Sequence, residues 1–320
     1  MMKIFCFGDC NVDIVIPIRE IPVKGGCSFS SHATINVGAS AVNVAVTLYK
    51  LGFPTSIITK FGNDMFGYFV KTYLEGMGID IKYLYPSNYD TGFTVGLIFP
   101  DGEKRWIAVR GDAADLHIGN DEIDQLDLCD VLYVSGVAVA EGKESRESAI
   151  RLAERVSQKG GKVFLDPNLR LPKWDVPDDI EDAFERIFKY VDVFLPNEKE
   201  IQLLGGAENI KKAALSILER GVSTIWVKRG KQGCSYFAKE EYFHLPVSKV
   251  KAVDTSGAGD VFDGAIIYGT LSGFTPGKCG KFANTLASFT IQRYGTTRAL
   301  PNIIELNKLI NTFEGKKDGQ

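Results

Sequence analysis

The chain has 320 residues, 45% hydrophobic and 24% charged, a globular composition with apolar material for one large core or two smaller ones. A net charge of −3 and a pI near 5.8 leave no basic field to attract nucleic acid or an anionic membrane, so a small or locally bound partner is expected. No run approaches the roughly eighteen apolar residues of a membrane span. The apolar opening at residues 4–7 is too short for a signal peptide and is stopped by Asp9 and Asp13. The six cysteines contain no Cys-x-x-Cys pair, and Cys6 and Cys10 lack a second Cys/His pair with zinc-site spacing. A cytoplasmic protein with reduced cysteines is the expectation.

In chain order, residues 4–7 read as a strand closing on Gly8, residues 41–51 as a helix stopped by Gly52, and residues 56–59 as a second strand. Phe66, Val70, Tyr73, Leu74 and Met77 fall on one helical face before Gly78. Strands follow at 131–134, ending at Ser135-Gly136, and at 163–165, ending at Asp166, with a helix over 145–158 between them. Another strand, 193–195, meets Pro196, and Asn197-x-x-Glu200 has capping-box spacing. A strand at 224–227 and a β-like run over 243–253 precede a helix over 259–271. This alternation predicts an α/β fold, a mainly parallel sheet with helices on both faces.

Two regions break the rhythm. Residues 12–18 and 29–37 are β-like, with Gly25-Gly26 between them, and runs at 93–99 and 105–109 flank the turn Pro100-Asp101-Gly102-Glu103. These predict a small β-sheet lid from residues 13–35 and 91–111, projecting from a core of residues 1–12, 36–90 and 112–320. Residues 314–320 are polar and expected to fray.

The string Asp254-Thr255-Ser256-Gly257-Ala258-Gly259-Asp260 joins the last β-like run to a helix. Small residues let backbone approach an anion, and the first amides of a helix have no internal partner, so they point at whatever sits there. That suits phosphoryl transfer, where positioning and electrostatics do most of the work. Asp260, in the first helical turn, serves either as a helix-dipole partner or as the base that accepts the proton of an attacking hydroxyl.

The whole string, with Val261-Phe262-Asp263-Gly264 after it, resembles the Asp-Thr-x-Gly-Ala-Gly-Asp signature of the PfkB family, the ribokinase-like carbohydrate kinases. The resemblance covers nearly the whole chain and implies a three-layer αβα ribokinase-like core. It makes Gly257, Ala258, Gly259 and Asp260 the catalytic group. Gly8-Asp9-Cys10-Asn11-Val12-Asp13 is similar to the family's opening, which assigns Asp13 to substrate hydroxyls. Gly38-Ala39-Ser40-Ala41-Val42-Asn43 resembles Gly-Gly-x-x-x-Asn, placing Gly38 and Asn43 at the substrate, although Ala39 departs from the second glycine. Gly62-Asn63-Asp64-x-x-Gly67 resembles an architectural motif.

Asp166-Pro167-Asn168-x-Arg170 resembles Asp-x-Asn-x-Arg, where Arg170 meets a substrate anion or pairs with Asp166. Asn197-x-x-Glu200 matches a motif associated with magnesium and its water shell, beside the capping-box reading. Lys228-Arg229-Gly230-x-x-Gly233 resembles the nucleotide-side loop, with Lys228 either a phosphate or ribose contact or a solvated strand-end lysine. Phe282-Ala283-Asn284 falls where the family flanks adenine. Of the hairpin arginines Arg105 and Arg110, five apart, at most one faces the site.

The expected activity is therefore ATP-dependent phosphorylation of a primary hydroxyl of a small sugar. Mg2+ bridges the phosphates, and a monovalent cation such as K+ sits near Asp254 and Ser256. Asp166-Pro167-Asn168-Leu169-Arg170-Leu171-Pro172 looks most like the fructokinase and 2-keto-3-deoxygluconate kinase branch, which favours a keto sugar or its acid. A nucleoside kinase on this fold and a non-catalytic sugar-binding regulator are the rivals. A dinucleotide dehydrogenase is disfavoured because neither Gly-x-Gly-x-x-Gly after the first strand nor a Walker A lysine occurs. A homodimer through the lid is left open.

Overall fold

The computed structural model describes residues 2–100, 103–111, 116–126, 129–140, 142–171 and 175–314. The N-terminal elements are β1 (Ile4–Phe7), β2 (Asn11–Pro17), β3 (Thr34–Gly38), α1 (Ser40–Lys50), β4 (Thr55–Gly62), α2 (Met65–Met77), β5 (Leu84–Ser87), β6 (Phe93–Ile98) and β7 (Lys104–Val109). Next come α3 (Asn120–Gln125), β8 (Val131–Ser135), α4 (Val137–Ala140), α5 (Lys143–Gln158), β9 (Lys162–Asp166), α6 (Asp178–Phe188), β10 (Val193–Phe194), α7 (Glu198–Leu204) and α8 (Ile210–Glu219). The chain continues through β11 (Thr224–Lys228), β12 (Cys234–Ala238), β13 (Tyr242–Leu245), α9 (Ala258–Leu271), α10 (Pro276–Thr290) and α11 (Ile303–Glu314).

Among the described residues the main sheet has nine strands in the order β13-β12-β11-β10-β9-β8-β1-β4-β5. The strands from β11 to β5 are parallel, and the β12–β13 hairpin adds an antiparallel edge. Successive side chains point to opposite faces, and here both faces are covered. Phe5, Phe7, Leu132, Val134 and Leu165 pack with Ala149, Phe184 and Ala213 of α5, α6 and α8. Ile4, Cys6, Val131, Tyr133 and Phe164 pack with Val44, Ile266 and Phe282 of α1, α9 and α10. Each such buried large side chain stabilises by about 1.5–3 kcal/mol, which is why these strands read as continuous apolar runs.

The second sheet runs β3-β2-β6-β7, with β2 and β6 parallel and the outer pairs antiparallel. Its register sorts the side chains into rows. Asn36, Asp13, Thr94 and Ala108 lie across the sheet in one row, and Ile35, Ile14, Val95 and Ile107 in the next. Asp13, Thr94 and Ala108 of the first row line the cleft, while Ile35 and Ile107 stand exposed on the other side.

Several expectations need correction. The last β-like run stops at Leu245 instead of Val253: Pro246 follows, and residues 246–257 form no strand. Residues 29–33 lie outside β3, and Phe29 is 85% exposed. Strands β2 and β3 reach Asn11 and Gly38, so the second sheet takes residues assigned to the core. Asp101 and Gly102 of the hairpin turn, Pro172 and the tail 315–320 lie outside the described residues. All six cysteines are free. Among the described residues no helix is long and apolar enough to cross a membrane.

Candidate active site

A cleft of about 650 Å³ opens at the carboxyl ends of the parallel strands. Strand β1 pairs with β4 on one side and β8 on the other, so strand order reverses there, the position at which open α/β sheets bind ligands. Asp9 follows β1, Asp166 ends β9, Asn197 follows β10 and Lys228 ends β11. The amino ends of α1 and α9 supply Ser40, Asn43 and Gly257 to Asp260, and the second sheet supplies Asp13, Thr94, Trp106 and Ala108.

At the α9 end, Gly257 precedes the helix with φ 66°. A Cβ there would run into the Thr296 side chain, whose hydroxyl donates to Ser256 O at 3.1 Å. Only glycine fits both the conformation and the space. Asp254 accepts from the amide of Ser256 through one oxygen and of Gly295 through the other, both at 3.0 Å, which clamps two loops together. The start of α9 is thus held in a fixed shape whose amides can face an anion, although the Ala258 amide donates to Thr255 O at 3.3 Å, and a Cβ built on Gly259 would lie 3.6 Å from the Lys228 ammonium. Cradle and cation suit a phosphate group.

Asp260 is buried in the cleft wall. Ser40 Oγ donates to its Oδ1 and Asn43 Nδ2 to its Oδ2, each at 2.7 Å. Burial pushes its proton affinity above the usual aspartate value, while the Ser40 and Asn43 hydrogen bonds pull it back. Asn43, expected at the substrate, gives its amide nitrogen to this carboxylate and also lines the cleft.

Lys228 is not a solvated strand-end lysine. Its Nζ lies 2.8 Å from Asp166 Oδ2 and 3.1 Å and 3.2 Å from the oxygens of Asp263, which is fully buried. Burial alone would lower its proton affinity, but the charges of Asp166 and Asp263 outweigh burial and raise it. Asp166 meets Lys228, so of the two readings of Arg170 the pair with Asp166 does not form, and Arg170 is exposed at the cleft. Asp166, Asp260 and Asp263 bring carboxylate oxygens within 4.8 Å of one another, but the Lys228 ammonium already bridges two of them.

The Asn197–Glu200 capping box forms: Asn197 Oδ1 accepts from the Lys199 and Glu200 amides, and Glu200 Oε2 accepts from the Asn197 amide at 2.8 Å. Glu200 Oε1 accepts from the Leu169 amide at 3.0 Å. Burial and the Asp166 charge push Glu200 up to about 7. With both oxygens engaged by amides, Glu200 suits a magnesium ion through its water shell rather than by direct ligation. Asp64 proves architectural, accepting from the Gly67 and Thr91 amides.

At the other end of the cleft, Asp13 accepts from Thr94 Oγ1 at 2.5 Å. Gly38 leaves room for it, because a Cβ there would overlap the Asp13 carboxylate. Asp9 accepts from Asn11 Nδ2 at 2.9 Å, and burial raises both Asp9 and Asp13 above the usual range. Among the described residues, the buried oxygens Asp9 Oδ1, Asn11 Oδ1 and Asn43 Oδ1 have no partner. This end is rich in acceptors, as a ligand that presents hydroxyls requires.

The structure brings Asp13, Asn43, Arg110, Arg170, Asn197, Glu200, Lys228, Gly230, Ser256, Gly257, Ala258, Gly259 and Asp260 to one cleft. Gly38, Asp254, Gly233 and Asn284 do not line it; Gly233 closes a turn at φ 92°, and the Asn284 amide donates to Leu245 O. Arg105 points away, paired with Glu103 at 2.9 Å and lying over the Phe99 ring. The reading of the sequence missed Ser40, Asn168, Asp263 and Trp106 as site residues. Ser40, Asn168 and Asp263 lay inside motifs already named, the one signal available for them.

A family model described as pfkB family carbohydrate kinase matches residues 1–303. The chain is 25% identical to a 5-dehydro-2-deoxygluconokinase of Shouchella clausii, over 96% of this chain and 95% of that protein. It is 26% identical to fructokinase-1 of Zea mays, over 95% and 96%. Among solved structures, a candidate ribokinase II of E. coli in complex with ATP and Mg2+ matches with TM-score 0.83 and 25% identity, over 98% of this chain and all of that one.

Proposed function

The chain belongs to the pfkB family of carbohydrate kinases and is a sugar kinase, and we propose that it transfers the γ-phosphate of ATP to a primary hydroxyl of a keto sugar or sugar acid, with Asp260 as base. The observation that carries this reading is the position of Asp260. It stands between the anion cradle at Gly257, Ala258 and Gly259 and the acceptor-rich end of the cleft at Asp9, Asn11 and Asp13.

A sugar held by Asp13 and its neighbours presents a hydroxyl to Asp260. The proton passes to the carboxylate as the hydroxyl oxygen bonds to phosphorus and the bond to the leaving diphosphate breaks. The α9 amides steady the charge on the moving group. Mg2+, when bound with the nucleotide, neutralises phosphate charge, and Glu200 and Asn197 lie on that side of the cleft. Lys228, Gly230, Gly233 and Asn284 belong to the nucleotide side in this reading. A monovalent cation such as K+ is proposed at backbone carbonyls near Asp254 and Ser256, since the Asp254 oxygens face amides. Arg110 and Arg170 at the sugar end favour an acceptor with a carboxylate or keto group.

The second sheet is read as a lid that excludes water from the transfer. Its exposed face carries Ile35 and Ile107, which supports pairing of two subunits through it, testable by sedimentation. The substrate reading is tested by ATP consumption against hexoses, 2-keto-3-deoxygluconate, ribose and nucleosides. Turnover confined to nucleosides would overturn it.

A further inference from the structure

Among the described residues, two that are not glycine hold a positive φ: Ala39 at 81° and Asn168 at 39°. Both flank one hydroxyl. Ala39 precedes Ser40 and sits at ψ 150°, in a region that glycine alone adopts freely. Asn168 donates its side-chain amide to Ser40 Oγ at 2.5 Å. Backbone strain of this kind persists where the surrounding structure requires it, and here it converges on a group that the proposed chemistry does not yet use.

The hydrogen bonds run in one direction. An amide nitrogen can only donate, so Ser40 Oγ accepts from Asn168 and has its single O–H left for Asp260 Oδ1, 2.7 Å away. Asn168 is fixed in turn by its own amide, which donates to Asp166 Oδ1 at 3.1 Å. Ser40, Asn168 and Asp260 are buried, and they tie together the start of α1, the loop after β9 and the start of α9. A carboxylate offers about four acceptor positions. Ser40 and Asn43 take one on each oxygen, which leaves each oxygen able to receive a substrate hydroxyl.

We propose that Ser40 is a positioning residue for Asp260: oriented by Asn168, its hydroxyl donates to the carboxylate and aims it while the same oxygen stays open to the acceptor. This rests on the reading of Asp260 as the base. The other groups facing Asp260 are Asp166 at the end of β9, Lys228 at the end of β11, Asp13 on β2, Tyr133 on β8 and Asp263 on α9 itself. Burial and Asp166 favour its protonated form, and Ser40, Asn43 and Lys228 oppose them. Ser40 is neutral, so removing its hydroxyl changes no charge and isolates the hydrogen bond.

The test is the pH profile of kcat from about pH 5 to 9, with the sugar that wild type turns over best. In Ser40→Ala the acid limb is expected to move up by about one pH unit. The loss at neutral pH falls on kcat, with the sugar KM within about twofold of wild type. Ser40→Thr, which keeps the hydroxyl, restores the limb; Asn168→Ala shifts it in the same direction by less. Ser40→Cys, nearly isosteric with a weak donor, repeats the test should the alanine variant fail to fold. A limb left at the wild-type pH, or a loss carried by KM alone, overturns the proposal. Asp260→Asn, run alongside, separates the two readings. If that variant keeps turnover the base assignment fails; if turnover is lost while the Ser40→Ala limb stays in place, the Ser40 proposal alone fails.

Discussion

Replacing Lys228 with methionine keeps most of the aliphatic volume and removes one buried charge. The ammonium lies 2.8 Å from Asp166 and 3.1 Å and 3.2 Å from the two oxygens of Asp263. At an effective dielectric of about 20, each charge pair gains about 5–6 kcal/mol of Coulomb energy, much of it offset by desolvation of the ions. The cost of the substitution therefore comes from the carboxylates left behind without a cation, about 3–5 kcal/mol.

That cost depends on pH. Burial already holds Asp263 well above the usual aspartate value, and Lys228 is the charge that pulls it down; removing Lys228 raises it further. A carboxyl with a folded-state value above its unfolded one binds more protons when folded, so stability falls as pH rises through that interval. Lys228 itself is raised, so its contribution is fully present below its unfolded value of 10.5 and is flat over the assay range. Urea unfolding followed by circular dichroism at about pH 5.5 and pH 8 should show Lys228→Met less stable by ~3–5 kcal/mol at the higher pH and by at least ~1 kcal/mol less than that at the lower. A deficit under about 1 kcal/mol, or one equal at both pH values, would refute the reasoning.

Ala39→Gly should stabilise the protein by about 1 kcal/mol, since relief of about 1–3 kcal/mol of strain at φ 81° exceeds the extra unfolded-state entropy of glycine; a lowered Tm would contradict this. Arg110→Ala should raise the sugar KM by about tenfold or more, whereas Arg105→Ala, which breaks an exposed pair with Glu103, should leave both KM and stability near wild type. Equal effects of the two arginines on KM would sink the assignment. Asp13→Ala should weaken sugar binding much more than ATP binding in calorimetric titrations, and equal losses would count against the sugar site.

The strands and the α9 loop were legible because their signals are local. Short apolar runs between turn residues marked β1, β4, β8 and β9, and the whole string from Asp254 to Asp260, rather than its glycines alone, marked the α9 loop. The partners of Asp260 were not legible. Ser40 lies 220 positions away from it, and Asn168 lies 128 positions from Ser40, so no window contains the network. Lys228 could be read as a phosphate or ribose contact or as a solvated strand end; its ion pairs were not legible because one partner, Asp263, sits inside an otherwise apolar helix. The overlong last strand has a similar cause: Val247, Val250 and Val253 look β-like, but β13 is the sheet edge and no strand pairs with the chain beyond Leu245. Asp13 was found by motif, yet its aim into the cleft follows from the register that sets it beside Asn36 and Thr94.

The central claim, that Asp260 accepts the proton of the sugar hydroxyl, is tested most directly by the turnover of Asp260→Asn with the best sugar of the panel. The side chain keeps its size and its place between Ser40 and Asn43 but loses the basic oxygen. The account predicts a folded protein that binds nucleotide with near wild-type affinity and turns over about 10²–10⁴-fold more slowly. Turnover within a few-fold of wild type in a variant that binds both ligands would contradict it.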